Sequence, residues 1–220
     1  MSEFRKTMND LQKIVHADLK SKGFKKKGRT HNRQVCEGMV EVINFQMDQY
    51  PIGENYEIPG IRKSYWGKFV VNLGVYVEEL YTAFYNEGGK PFVQDYHCEI
   101  RTRLAYRTTS PELEQWYPLD SNYSEVAEEI ILGLSRAGQS WFDRFNDREK
   151  IISEFRDNKE IQFSPREKLN AAILLLNNDR QAGERIFNDY LNALDDSIPR
   201  IKGHKDFILK VAKRLNITLE

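Results

Sequence analysis

The clearest pattern in the chain runs from Gly67 to Val77. Phe69, Val71, Leu73, Val75 and Val77 alternate with Lys68, Asn72, Gly74 and Tyr76. A period of two predicts a strand with one apolar face and one mixed face. Val70 interrupts the alternation, as expected of a central strand with neighbours on both edges. Asn72 is unusual there, because Asn is depleted in strands. Before it, Phe4, Met8, Leu11, Val15 and Leu19 step by three or four, which predicts an amphipathic helix over 3–22. Gly23 closes that helix, with Phe24 placed for the apolar contact that follows such a cap.

A hairpin comes next. Residues 30–36 and 39–48 flank Glu37-Gly38, the length of a two-residue loop. That register sets Cys36 opposite Met39 and His31 opposite Asn44. Met39, Ile43, Phe45 and Met47 then face inward, while Val42, Asn44, Gln46 and Asp48 share the other face with His31 and Arg33. Residues 49–66 are rich in Pro, Gly and aromatics and predict an irregular loop folded back on the core. A short connection through Glu87–Pro91 leads to a fourth strand at 96–104, where His97, Glu99, Arg101 and Arg103 face away from Tyr96, Cys98, Ile100, Thr102 and Leu104. The remainder is helical, near 123–137, 147–157, 165–177, 180–195 and 203–215. Asn122-x-x-Glu125 and Asn146-x-x-Glu149 have the spacing of capping boxes, and Ser164-Pro165-Arg166-Glu167 is a stronger helix start.

The expected fold is therefore α+β. A four-stranded antiparallel sheet carries the N-terminal helix and following helices on one face, and a helical tail ends the chain. Residues 1–160 form the α+β domain and residues 161–220 a helical hairpin docked on it, after the polar stretch Asp157–Glu160.

The sequence resembles a bacterial family called "domain of unknown function 4304". The likeness rests on five motifs in order: Gly23-Phe24-Lys25-Lys26-Lys27-Gly28, Val42-Ile43-Asn44-Phe45-Gln46, Asn72-Leu73-Gly74-Val75-Tyr76, Cys98-Glu99-Ile100-Arg101-Thr102-Arg103-Leu104, and Trp116-Tyr117. It covers roughly residues 1–145. It implies a small α+β domain and carries no activity and no catalytic residues with it.

Composition narrows the function. The 220 residues carry 33 Lys and Arg against 33 Asp and Glu, so the formal charge is zero. That balance argues against a nucleic-acid binder working by bulk charge, and leaves as a third reading a local patch made of the Lys25–Arg33 segment and the aromatic loop. The basic turn Lys25–Arg29 lacks the glycine spacing of a phosphate loop and reads as solvated. No run of 18 apolar residues predicts a membrane span, and the charged N-terminus lacks a signal-peptide core, so a cytoplasmic protein is expected. Cys36 and Cys98 are expected as two separate buried thiols. His97-x-Glu99, with His31 from the hairpin, is too sparse to predict a metal site, and no cofactor motif is found. Nor does a nucleophile motif occur.

One surface stands out. Arg33, Asn44, Gln46, Asn72, Glu99, Arg101 and Arg103 gather on the polar face of the expected sheet, with His31, His97 and Asp48 near them. Two arginines two apart on a strand project side by side, with forked donors suited to carboxylate or phosphate. Neighbouring amides could read a polar ligand. The plain alternative is a face whose polar groups satisfy one another, beneath the C-terminal helices or in solvent. The expected function is a protein-binding or regulatory module, an immunity-type protein that neutralises a toxin being one form. The alternative is an enzyme acting on a phosphorylated or carboxylated small molecule at the Arg101/Arg103 face.

Overall fold

A computed structural model describes residues 3–47, 65–105, 115–157, 165–195 and 197–219. Asp48, nearly all of the aromatic loop, the Asp157–Glu160 stretch beyond its first residue and the Ser164 cap lie outside the described residues.

Helix α1 (Glu3–Ser21) buries Met8, Leu11, Val15 and Leu19, the stripe its periodicity predicts. It ends where expected. Gly23 takes a φ of +87°, and the Phe24 amide donates to the Leu19 carbonyl at 3.0 Å. The sheet has six strands among the described residues: β1 (Lys25–Lys27), β2 (Thr30–Cys36), β3 (Met39–Met47), β4 (Lys68–Val77), β5 (Ile100–Arg103) and β6 (Tyr117–Pro118). The order is β1-β2-β3-β4-β5, with β6 also paired to β4. The class is α+β with an antiparallel sheet, as expected, but the sheet is larger than four strands. Both additions are short and carry weak strand signals: three lysines in β1, and two residues ending in proline in β6. The 96–104 strand, by contrast, is shorter than expected. Asp95–His97 turns into a 3₁₀ helix, and pairing starts at Ile100.

The chain divides into two compact units. The first joins Met1–Gln34, Val40–Val75 and Phe92–Asp143. In it, α1 packs on α3 (Tyr123–Gly133), which runs through a π-turn at Leu134–Gly138 into α4 (Gln139–Asp143). These elements lie over the front face of the sheet, where Phe45, Phe69 and Tyr117 stack in series at centroid spacings of 6.0 and 5.4 Å. The second unit joins Val35–Met39, Tyr76–Pro91 and Arg144–Glu220. It holds α2 (Glu78–Tyr85), α5 (Arg148–Asp157), α6 (Pro165–Leu175), α7 (Arg180–Asn192) and α8 (Pro199–Arg214). Helix α6 packs on α5, α7 and α2. Gly183 lets α7 approach closely, since a Cβ there would lie 2.7 Å from the Ala172 carbonyl. Helix α2 is absent from the sequence expectation, which passes directly from strand to connection.

Four local expectations are corrected. The hairpin register is shifted by one residue. Asn44 Nδ2 donates to Thr30 Oγ1 at 2.9 Å, and Arg33 pairs with Glu41. Both pairs are one residue away from a register with Cys36 opposite Met39. Gly38 takes a φ of +72° in the turn between β2 and β3. Such a slip exchanges the two faces of a strand, so His31 and Arg33 lie on the front face. Cys36 is exposed, and only Cys98 of the two free thiols is buried. Asn122 makes no side-chain cap for α3; its amide is instead held by Asp120 Oδ1 at 2.9 Å. At α5, Asp147 rather than Asn146 accepts from a first-turn amide, that of Lys150, at 2.8 Å.

Candidate functional site

The back face of the sheet is built by the period-two side chains of β3 and β4. Asn44 and Gln46 stand beside Asn72, which is 8% exposed. Asn72 Nδ2 donates to Gln46 Oε1 at 2.9 Å and to Asp95 Oδ2 at 3.2 Å. Thr30 Oγ1, which accepts from Asn44, donates in turn to Gln94 Oε1 at 2.7 Å. One step further along, Asn32 Nδ2 donates to the Val93 carbonyl at 2.9 Å, and the Val93 amide donates back to Asn32 Oδ1 at 2.7 Å. Polar side chains of three strands thus hold the β4–β5 connection against the sheet. It is this connection that meets the polar groups.

Two further contacts seat the connection. The His97 ring accepts the Gln94 amide at 3.1 Å, closing the 3₁₀ turn on itself. Cys98 packs into the space left by Gly74, where a Cβ would stand 2.7 Å from its Sγ. Burial pushes the Cys98 thiol well above the ordinary range, so it stays protonated and acts as a small apolar group. His97 and Cys98 are thereby given structural tasks.

Arg101 and Arg103 leave this network differently. Across the β4–β5 ladder, Arg101 faces Gly74 and Arg103 faces Asn72. Both therefore project from the back face. Arg101 is exposed. Arg103 lies over the Trp116 ring, its guanidinium carbon 5.8 Å from the centroid. Trp116 in turn stacks on Tyr65, with centroids 4.2 Å apart and planes at 20°. The result is a cationic and aromatic patch beside the amide network. Glu99 sits half-buried just ahead of β5.

Arg33 is not part of this face. On the front it forms an ion pair with the buried Glu41 at 2.6 Å and covers the Phe24 ring at 4.7 Å. Burial raises the Glu41 pKa, and Arg33 opposes that rise. Arg33 also bounds a front-face cavity of about 230 Å³, together with Ile43, Gln139 and Phe142. So Asn44, Gln46, Asn72, Arg101 and Arg103 come together as sequence reasoning places them, and Arg33 does not. Asp95, Tyr65 and Trp116 are missing from that reasoning. The Trp116-Tyr117 pair was visible as a motif, but nothing in its spacing ties it to Arg103.

The second unit holds a larger concavity, about 720 Å³, lined by Glu78, Glu79, Asn86, Arg148, Arg180 and Arg214 among others. Its arginines already hold the protein together. Arg148 pairs with Glu79 and donates to the Glu37 carbonyl at 3.0 Å, and Arg214 donates to the Ala83 carbonyl at 2.8 Å.

Fold and face together define a small antiparallel α+β module with a cationic-aromatic edge. A family model described as "Domain of unknown function (DUF4304)" matches residues 15–144, more than half of the chain, and the protein belongs to that family. No curated protein and no solved structure matches the chain.

Proposed function

We propose that the protein is a protein-binding module that engages an acidic partner surface through Arg101, Arg103, Trp116 and Tyr65. The observation that carries this reading is the placement of Arg103 over Trp116 beside an exposed Arg101. Arg, Trp and Tyr are the residue types that dominate binding energy at protein interfaces. Their stacking presets the guanidinium plane, so less freedom is lost when a carboxylate is met. The amides behind them are committed to holding the β4–β5 connection, which gives the patch a rigid backing.

The enzyme alternative needs the arginines in a concavity. The cavities of about 720, 230 and 420 Å³ are lined by other residues. An exposed arginine on a strand favours a partner surface instead. The test is affinity capture from the source cells with the wild-type protein and with Arg101→Ala/Arg103→Ala. A protein retained by the wild type and lost by a folded double variant supports the reading. Equal retention by both overturns it.

A further inference from the structure

The protein is neutral as a whole, with 33 basic and 33 acidic residues, but its charge is unevenly distributed. The first 34 residues hold ten Lys and Arg against three Asp and Glu, a formal +7. The rest therefore hold 23 against 30, a formal −7. Such asymmetry along a chain points to an anionic partner for the basic segment.

The fold converts this run into a surface of the first unit. On α1, Lys6, Lys13 and Lys20 lie seven residues apart, in one line beside the buried stripe, and all three are exposed. A seven-residue step on a helix is about 10 Å. His16 is the next residue across from this line, and its ring lies 5.3 Å from that of His31. His31 pairs with Lys26 across the β1–β2 ladder, which brings the edge strand β1 alongside α1. Lys25 and Lys27 project from β1 on its other face, and Gly28, at a φ of +62°, turns the chain into Arg29.

Few acids answer these cations. Asp10 pairs with Lys13 and Asp18 with Lys22. Among the described residues, Lys20, Lys25, Lys26 and Arg29 form no ion pair. Burial and a neighbouring cation both lower the Lys26 and Arg29 pKa values, Lys13 acting on the first and Arg5 on the second. Lysines on an edge strand also discourage strand-to-strand aggregation. That explains β1, but it does not explain the line on α1 or Arg29.

We propose that α1 and β1 form a phosphate-binding surface that takes the sugar-phosphate backbone of a nucleic acid. Cations fixed on a helix and a strand suit a polyanion of regular spacing. A lipid surface would call for apolar side chains between the cations. The exposed large apolar residues among those described, such as Val35, Tyr96 and Leu132, all lie outside this segment. This surface is separate from the Arg101/Arg103 patch and stands independently of it.

The test is fluorescence anisotropy with a labelled duplex and a labelled single strand of about 20 nucleotides, at about 50 and 200 mM salt. The wild type is expected to bind at the lower salt and to weaken at least ~10-fold at the higher. Lys6→Gln/Lys20→Gln/Lys26→Gln, on α1 and on the face of β1 that meets it, is expected to weaken binding at least ~10-fold at the lower salt and to flatten the salt dependence. The matching Lys→Arg triple should retain binding. Lys202→Gln/Lys210→Gln/Lys213→Gln, with the same charge change on α8, should stay within about twofold of wild type. Absence of binding to either oligonucleotide at the lower salt overturns the proposal. So does an equal loss in the α8 variant, or binding to phosphatidylserine vesicles without binding to oligonucleotide.

Discussion

Arg103 stands directly opposite Asn72 across the β4–β5 ladder, yet the two side chains belong to different systems. Asn72 turns inward to Gln46 and Asp95 and is nearly buried. Arg103 turns to the Trp116 ring at the edge of the sheet. One back face therefore carries both a hydrogen-bonded amide network and a cation over an aromatic ring.

Asn72→Ala should destabilise the protein by about 1–3 kcal/mol, because Gln46 and Asp95 lose their shared donor in a part-buried setting. The loss should be local as well as global. Amide hydrogen exchange in residues 92–98 should accelerate more than in α1. Urea denaturation together with exchange measured by mass spectrometry checks both. An unchanged midpoint would mean that solvent already satisfies these groups.

Gly74→Ala is expected to cost about 1–3 kcal/mol by overpacking, since the new methyl would meet Cys98 Sγ at 2.7 Å. Cys98→Ala should relieve part of this cost. The relief is partial because the Cys98 Cβ stays 3.0 Å from the same point. A double-mutant cycle by denaturation measures the coupling. Additive effects would show that the two residues do not meet.

His31 gives the protein a pH dependence of known sign. Burial, then the charges of Lys26 and His16, lower its pKa from 6.5 to about 3. The unfolded chain takes up this proton as pH falls through 6.5, and the folded chain does not until about pH 3. Stability is therefore full above pH 6.5 and declines toward pH 3, by up to ~1.4 kcal/mol per pH unit. Comparing pH 7 with pH 5.5 isolates the effect from most carboxylates. His31→Leu should flatten the slope of stability over that interval, even if its stability at pH 7 differs. An identical slope in wild type and variant would assign the acid sensitivity elsewhere.

Residues with strong periodicity declared themselves in the sequence. The stripe of α1 and the alternation of β4 are local patterns, and both elements form as read. β1 was hidden because three lysines carry no apolar alternation; its pairing comes from the neighbouring hairpin. α2 was hidden because it follows β4 without a break and no side-chain cap marks its start. The candidate face divides in the same way. Asn44, Gln46 and Asn72 share a face by the period of two. Arg33 was misplaced because the two strands pair one residue out of the register read from the turn, which no local pattern reports. Trp116 reaches Arg103 through tertiary structure alone.

The central claim is that Arg101 serves binding while Asn72 serves the fold. The direct measurement is the affinity of the captured partner, by calorimetric titration, for wild type, Arg101→Ala and Asn72→Ala, alongside each protein's denaturation midpoint. Arg101→Ala should weaken binding by about 1.5–3 kcal/mol, the worth of a charge-assisted hydrogen bond, with stability changed by less than about 0.5 kcal/mol. Asn72→Ala should lower stability while its folded fraction binds with near wild-type affinity. If Arg101→Ala lowers stability and its folded fraction binds normally, the arginine face is structural and the account is contradicted.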